Sequence, residues 1–121
     1  GYKPDGAVLE FTKGYGDKFS LETDPFMAAS GADILITDTW TSMGEEAEKE
    51  ERKKIFKDYQ INRQLLAAAN AGAMVQHCLP AYRGQEITEE VFEEHADEIF
   101  NEAENRLHAQ KAVMVKLMKK D

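Results

Sequence analysis

Two short apolar runs with helical pattern between them restrict the fold more than any other feature of this chain. Residues 32–37 read ADILIT and residues 73–77 read AMVQH. Between them lie a charged stretch from residue 45 to about 59 and a shorter amphipathic stretch at 62–70. Strands that alternate with helices favour an α/β layer with a parallel sheet. Since three apolar residues are consecutive at 34–36, we expect the first strand to be covered on both faces.

Further elements are predicted on either side of these strands. Residues 18–22 (KFSLE) alternate as a short strand does, and Asp24 is placed to cap a brief helix. A final helix is predicted from residue 102 to about 119. Its residues 112–118 (AVMVKLM) are apolar nearly all round, which is typical of a helix buried on most sides.

Length and charge exclude several classes of protein. The 121 residues suffice for one modest core, and without a repeat or linker they predict one domain over residues 1–121. No apolar run approaches 18 residues, and no secretory signal pattern is visible. A formal charge of −8 argues against a nucleic-acid partner. A single cysteine cannot form an internal disulfide, which favours a reducing, cytoplasmic location.

The first candidate site follows the first predicted strand, in the sequence DTWTSMGE from Asp38 to Glu45. Asp38 is either a turn former or a carboxylate that needs a cation. Ser42 either caps the next helix, with Glu45 completing a capping box, or contacts a ligand. Together, Asp38 would hold the ammonium of an amino acid, while Ser42 and the helix amides would hold its carboxylate.

The second candidate follows the second predicted strand, in the sequence HCLPA. Cys78 is either a small buried hydrophobe or a group that faces a substrate. Pro80 is expected to keep Leu79 extended, with its carbonyl free for a ligand amide. A Cys–His protease pair with His77 is disfavoured because adjacent residues on a strand point to opposite faces. The spacing of the cysteine and the histidines fits no known zinc site, so no metal is expected.

Both candidates follow predicted parallel strands, whose carboxyl ends meet at one edge of a sheet. We therefore expect Asp38 and Cys78 to lie close together. Arg106, in the sequence AENRLH, is either a solvated helix residue or a fork of donors for a phosphate or carbonyl oxygen.

Three motifs of this chain resemble the carboxyl-terminal half of proteins in the ornithine carbamoyltransferase family. In order, they are DTWTSMG, HCLPAYRG and EAENRLHAQKAVMV. The likeness covers essentially the whole chain. It implies a partial Rossmann-like parallel sheet in a three-layer αβα arrangement that lacks the family domain's first strands. Within the family, HCLP is expected to separate this chain from aspartate-using relatives. The sequence Ser42-Met43-Gly44 favours ornithine over putrescine or acetylornithine, which remain alternatives.

The resemblance also implies roles for matching residues. Asp38, Ser42 and Met43 are expected to bind the amino-acid end of ornithine. Cys78 and Leu79 are expected where the side-chain amine meets the carbamoyl group, and Arg106 is expected to contact carbamoyl phosphate. Asp38, Cys78 and Arg106 are the expected catalytic residues. The implied reaction transfers the carbamoyl group to the δ-amine, gives citrulline and phosphate, and needs no cofactor.

The chain departs from the family pattern in what its 121 residues lack. The family's carbamoyl-phosphate half, with a Ser-Thr-Arg-Thr loop, is not among them. We therefore expect the isolated chain to be inactive, because most of the transition-state charge would have no partner.

Assembly is a further expectation. In the family, the last helix packs on that other half, so residues 112–118 would here be exposed and favour a homo-oligomer, possibly with exchanged elements. A non-catalytic oligomerising module is the alternative function. No membrane partner is expected.

Overall fold

The computed structural model describes residues 2–41, 44 and 46–119. Six α-helices and two strands make up its regular structure, joined by short 3₁₀ turns. In chain order they are α1 (Gly6–Thr12), α2 (Pro25–Ala29), β1 (Ile34–Thr37), α3 (Lys49–Phe56), α4 (Arg63–Ala68), β2 (Met74–His77), α5 (Glu89–Glu94) and α6 (Ala96–Met118). The 3₁₀ turns are Lys13–Lys18, Glu46–Glu48 and Lys57–Tyr59.

The two strands form a parallel sheet, and α3 and α4 make the crossover between them. Ile34 pairs with Met74 and Thr37 with His77, so both strands end at the same level. The predicted α/β class with a parallel sheet is confirmed. This register sets the position of the two candidate segments, because each follows the last residue of its strand.

One face of this sheet is packed and the other is not. Leu35, Val75 and His77 point to the packed face and are buried. On the other face, Ile34 is 45% exposed and Ile36 is 68% exposed. The prediction that the first strand is covered on both faces is therefore wrong, because none of the described elements packs over these isoleucines.

Side-chain caps start the helices that complete the core. The Asn62 carboxamide accepts from the Leu65 amide at 2.9 Å and begins α4, which buries Leu65. Thr88 caps α5 through the Val91 amide at 3.4 Å, and α5 buries two apolar side chains. The buried core comprises Ala29, Leu35, Ile61, Leu65, Val75, Ile87, Val91, Phe92 and Ile99. Asp24 caps α2 as predicted.

Two predicted elements differ from the structure. Residues 19–22 form no strand and lie in irregular backbone with no ladder, because alternation cannot make a strand without a neighbour to pair with. The last helix begins at Ala96, earlier than predicted. Its first turns are anchored, since Ile99 is fully buried and the Glu98 carboxylate accepts from the Val75 amide at 2.8 Å.

The distal part of α6 is open to solvent. Val113, Met114, Val115, Leu117 and Met118 are all more than half exposed. The expected exposure of this apolar segment is therefore found in the structure. Among the described helices, none combines the length and apolar character that crossing a bilayer requires.

Candidate functional site

Asp38 and Cys78 lie side by side where β1 and β2 end. The Cys78 thiol donates to Asp38 Oδ1 at an Sγ–Oδ1 distance of 3.3 Å, although the residues are 40 apart in sequence. The expected convergence of the two strand ends is therefore confirmed. The parallel register is the cause, since Thr37 and His77 are partners and the next residue of each strand leaves the sheet at the same point.

The segment after Asp38 is held by local hydrogen bonds. Asp38 Oδ1 also accepts from the Thr39 amide at 2.7 Å, and the Thr39 hydroxyl donates to the Thr41 carbonyl at 3.2 Å. The Asp38 carboxylate therefore has two donors, one in its own segment and one in the segment that follows β2. Ser42 and Met43 lie outside the described residues, as does the capping partner Glu45.

The Cys78 side chain is partly buried, and its surroundings favour the neutral thiol. Burial raises the pKa of the Cys78 thiol, and the hydrogen bond to Asp38 raises this pKa further. The negative charge of Glu102 acts in the same direction, whereas Arg106 lowers the pKa of this thiol. With the pKa raised overall, the sulfur is a hydrogen-bond donor at neutral pH rather than a thiolate.

Leu79 does not have the extended backbone predicted from the following proline. Its φ is 56°, in the left-handed region, and the Leu79–Pro80 peptide is cis. The Leu79 amide donates to His77 Nδ1 at 3.0 Å, so a side chain two residues back supports this conformation. A left-handed leucine is uncommon and is found where surrounding contacts fix the backbone, often at functional sites.

His77 and Glu86 form a buried support beneath this turn. Both side chains are fully buried. Because His77 Nδ1 accepts from Leu79, Nε2 carries the proton and donates to Glu86 Oε1 at 3.1 Å. The same oxygen accepts from the Tyr82 amide at 2.6 Å. Glu86 thus fixes both ends of the turn that contains Cys78 and Leu79.

Arg106 joins the site from α6. Its Nη1 donates to the carbonyl oxygen of Cys78 at 2.8 Å, across 28 residues of sequence. The structure therefore brings together three of the predicted residues, Asp38, Cys78 and Arg106, with Leu79 adjacent. A solvent-exposed helix arginine remains a fair description of much of its side chain, since Arg106 is exposed overall.

Sequence reasoning missed two acidic residues that act on the segment containing Cys78. No local pattern marks Glu86, nine residues after His77, as the buried partner of that histidine. Glu102 lies one helical turn before Arg106, and its carboxylate acts electrostatically on Cys78. The i,i+4 spacing of Glu102 and Arg106 was the available signal.

A metal site is the remaining chemical possibility at this position. Ligand atoms of Asp38, His77 and Cys78 lie within 4.8 Å of one another. Both ring nitrogens of His77 already have partners in Leu79 and Glu86, however. A bound cation would have to break one of those hydrogen bonds, so the cluster fits a hydrogen-bonded site better than a metal centre.

Comparisons with known proteins agree on one family. A family model described as aspartate/ornithine carbamoyltransferase, Asp/Orn binding domain, matches residues 1–117. The ornithine carbamoyltransferase of Nitratiruptor sp. is 53% identical over 124 residues, which cover 99% of this chain and 40% of that protein.

Solved structures give the same result. Anabolic ornithine carbamoyltransferase from Campylobacter jejuni superposes with a TM-score of 0.89 and 48% identity, over 96% of this chain and 40% of that one. An N-acetyl-L-ornithine transcarbamylase in complex with carbamyl phosphate and N-succinyl-L-norvaline is more distant, at a TM-score of 0.72 and 28% identity over 97% of this chain and 37% of that one. The chain thus spans about two fifths of the length of these relatives.

Proposed function

This chain belongs to the aspartate/ornithine carbamoyltransferase family, in the part that the family names its Asp/Orn-binding domain, and on that premise we propose that it is the ornithine-binding domain of an ornithine carbamoyltransferase. One observation carries the proposal more than any other. The Asp38 carboxylate contacts the Cys78 thiol, and the Arg106 guanidinium contacts the Cys78 carbonyl, so residues from three different parts of the chain meet at one end of the sheet.

The proposed reaction is carbamoyl transfer between two substrates. The neutral δ-amine of L-ornithine attacks the carbamoyl carbon of carbamoyl phosphate and forms a C–N bond. The tetrahedral species then breaks its C–O bond to phosphate and loses the amine proton, which leaves citrulline and inorganic phosphate. Two substrates must be aligned and oxygen charge must be stabilised, so the work of the site is mainly positioning and electrostatics. We propose no cofactor and no metal.

Each residue of the site has a role in this proposal. Asp38 holds the ammonium of ornithine, and Ser42 and Met43 hold its amino-acid end. Cys78 and Leu79 lie where the δ-amine meets the carbamoyl group, and Arg106 contacts carbamoyl phosphate through a guanidinium that already donates to the Cys78 carbonyl. The Leu79 amide already donates to His77 Nδ1, so the Leu79 carbonyl is the main-chain group proposed to contact the substrate.

The thiol is proposed to act as a donor that orients Asp38. Because burial and Asp38 raise the pKa of Cys78, removal of the amine proton falls to the carboxylate rather than to sulfur. Cys78→Ser retains a donor, so in a complete enzyme it is expected to slow turnover without abolishing it. Unchanged turnover of that variant would remove Cys78 from the mechanism.

The 121 residues alone are proposed to be inactive. They contain no Ser-Thr-Arg-Thr sequence, and Arg106 is then the one proposed contact to carbamoyl phosphate from a cationic side chain. Formation of citrulline above background by the purified chain would contradict this. We further propose a single domain over residues 1–121, a cytoplasmic location and a homo-oligomer.

Two other functions compete with this proposal. A relative that uses N-acetylornithine or putrescine is disfavoured by the sequence Ser42-Met43-Gly44, and a relative at 53% identity is named an ornithine enzyme. A non-catalytic oligomerising module is favoured by the exposed apolar part of α6. Ligand binding separates these possibilities from ornithine use.

The test is a titration of the chain with L-ornithine, with and without carbamoyl phosphate. Trp40 is the only tryptophan and lies two residues from Asp38, so its fluorescence reports on the site. Ornithine is expected to bind more tightly than putrescine or N-acetylornithine. Asp38→Asn is expected to weaken binding at least about tenfold, as loss of a charge partner does, whereas Asp24→Asn at the α2 cap should not.

Each outcome of the titration has a meaning. Putrescine that binds as tightly as ornithine would contradict recognition of an amino-acid end. Absence of binding by all three amines would favour the non-catalytic module.

A further inference from the structure

We propose that Arg52 is a positioning residue of this site, whose guanidinium holds the main chain at Trp40 and thereby keeps Asp38 against Cys78. No family motif quoted above contains Arg52, which lies 14 residues beyond Asp38 in α3. This inference rests on the proposed function, because Asp38 and Cys78, the pair that Arg52 positions, are proposed catalytic residues.

The first observation is a direct hydrogen bond from helix to loop. Arg52 Nη1 donates to the Trp40 carbonyl at 3.2 Å, and Arg52 Nε donates to Glu48 Oε2 at 3.0 Å. The Arg52 side chain is only 16% exposed. Two nitrogens of one planar fork therefore bind a helix carboxylate and a loop carbonyl together, a geometry that lysine cannot reproduce.

The second observation is an aromatic cluster that supports the same loop residue. The Trp40 ring lies 6.2 Å from that of Phe56, which in turn lies 5.0 Å from the ring of Tyr2. The Arg52 guanidinium lies over the Tyr2 ring at 5.0 Å. Residues 52 and 56 are four apart and share one face of α3. This face therefore contacts Trp40 twice, at its carbonyl through Arg52 and at its ring through Phe56.

Trp40, which these contacts hold, lies only two residues from Asp38 of the proposed catalytic pair. Asp38 Oδ1 accepts from the Thr39 amide and from the Cys78 thiol, and Trp40 is the next residue. The same helix touches the other loop, since the Lys49 ammonium lies 5.4 Å from the centre of the Tyr82 ring. Helix α3 thus contacts the segments that follow β1 and β2, and Arg52 makes a polar contact to the first of them.

The test uses the chemistry of the single cysteine and needs no substrate. The rate at which iodoacetamide alkylates Cys78 is measured from pH 6 to 10 in the 121-residue chain and its variants. The charged groups that act on this thiol are Asp38, Glu102 and Arg106. If Arg52 holds Asp38 in place, Arg52→Gln moves that carboxylate away and makes the thiol more acidic. We expect alkylation at pH 7.5 to be roughly two- to fivefold faster, with the profile shifted toward that of Asp38→Asn.

Two control variants separate positioning from general stability. Glu48→Gln removes the charge that pairs with Arg52 Nε but leaves the bond from Arg52 to Trp40. Arg63→Gln removes another arginine that forms ion pairs, in this case with Glu90 and Glu94. Both are expected to leave the pH profile unchanged. Arg52→Lys keeps the charge without the fork, should fold, and is expected to lie between the native chain and Arg52→Gln.

An Arg52→Gln profile that superimposes on that of the native chain would overturn the proposal. An equal shift in Arg63→Gln would do the same, because it would show loosening of the whole fold. If Arg52→Gln does not fold, as judged by circular dichroism, Arg52→Lys decides by the same criterion. Failure to bind ornithine would overturn the proposed function and leave this result unaffected.

Discussion

The two strands of the sheet differ in what covers their outer edges. In β2, Val75 and His77 are fully buried, and the Val75 amide on the edge away from β1 is bonded to Glu98 of α6. In β1, Ile34 and Ile36 face outward, and among the described elements β1 pairs with β2 alone. The β2 side is complete in the sense that α6 covers its outer edge, whereas no described element pairs with the outer edge of β1. The open face of the sheet is shared by both strands, since Met74, the partner of Ile34, is 39% exposed.

This difference bears on how the site is held together. Cys78, Leu79 and the His77–Glu86 pair belong to the complete side, and Arg106 reaches them from the helix that covers it. Only Asp38 comes from β1, and it is tied to the other side by the thiol. The β2 side thus supplies most of the site, and Asp38 is held to it by its hydrogen bond with the Cys78 thiol.

The largest expected effect is at Glu86, the centre of the complete side. Glu86→Ala removes the acceptor of two buried donors, His77 Nε2 and the Tyr82 amide. We expect the free energy of unfolding to fall by about 3–5 kcal/mol, because each stranded donor costs about 1–3 kcal/mol and a cavity opens as well. Urea unfolding followed by circular dichroism measures it.

Glu86→Gln is the matched variant, because it keeps an acceptor oxygen of the same shape. It is expected to lose less than half as much stability. Equal losses in both variants would mean that the carboxylate charge itself stabilises the turn. The exposed Glu89 provides the control, since Glu89→Ala should change stability little.

The next effect compares two positions on one helix. Ile99→Ala, at a fully buried residue of α6, is expected to cost about 2–5 kcal/mol. Val115→Ala, 16 residues on and 65% exposed, is expected to cost less than about 0.5 kcal/mol in the monomer. A large loss at Val115 at high protein concentration, absent on dilution, would show that another chain covers it.

Sequence reasoning predicted the elements better than their surroundings. Both strands, their parallel pairing and the cap at Asp24 follow from local pattern and were found. The exposure of Ile34 and Ile36 was not predictable, because a consecutive apolar run indicates burial on both faces and does not show whether a second layer is present. Residues 18–22 alternate correctly, but a strand also needs a neighbour, which local sequence does not report.

The same division holds for the site. Asp38, Cys78 and Arg106 were predicted because they stand at strand ends or in a family motif, and the structure brings them together. Glu86 was missed since its partner is fixed by the path of a loop. Leu79 was assigned extended backbone from the proline rule, whereas the His77 ring stabilises a left-handed turn there.

Self-association tests the exposed apolar part of α6. The apolar part of α6 is expected to make the chain dimerise, and Leu117, 80% exposed, lies one turn from Val113 on the same face. Leu117→Lys is expected to raise the dimer Kd at least about tenfold, or about 1.4 kcal/mol. Analytical ultracentrifugation over a range of concentrations measures this. Gln110→Lys adds the same charge at an exposed polar position and should have little effect.

Dimerisation should also strengthen with salt, because two chains of formal charge −8 repel each other. A native chain that remains monomeric at millimolar concentration would contradict the role given to the apolar part of α6.

The smallest expected effect concerns the bond that covers the outer edge of β2. Burial raises the pKa of Glu98, but the Val75 amide and His95 outweigh it and hold this pKa below its ordinary value. A carboxyl whose pKa is lower in the folded state stabilises the fold above the unfolded-state pKa. That contribution is lost as the pH falls through the folded pKa.

Glu98→Gln should therefore lower stability at neutral pH and make no difference at low pH. Because the side chain is 34% exposed, we expect less than about 1 kcal/mol at pH 7. Urea midpoints from pH 7 to pH 3 measure it, with the fully exposed Glu50 of α3 replaced by glutamine as control. If the loss at pH 7 persists undiminished at pH 3, Glu98 acts through packing rather than charge. Helix α6 would then cover the outer edge of β2 by packing alone, without a contribution from the charge of Glu98.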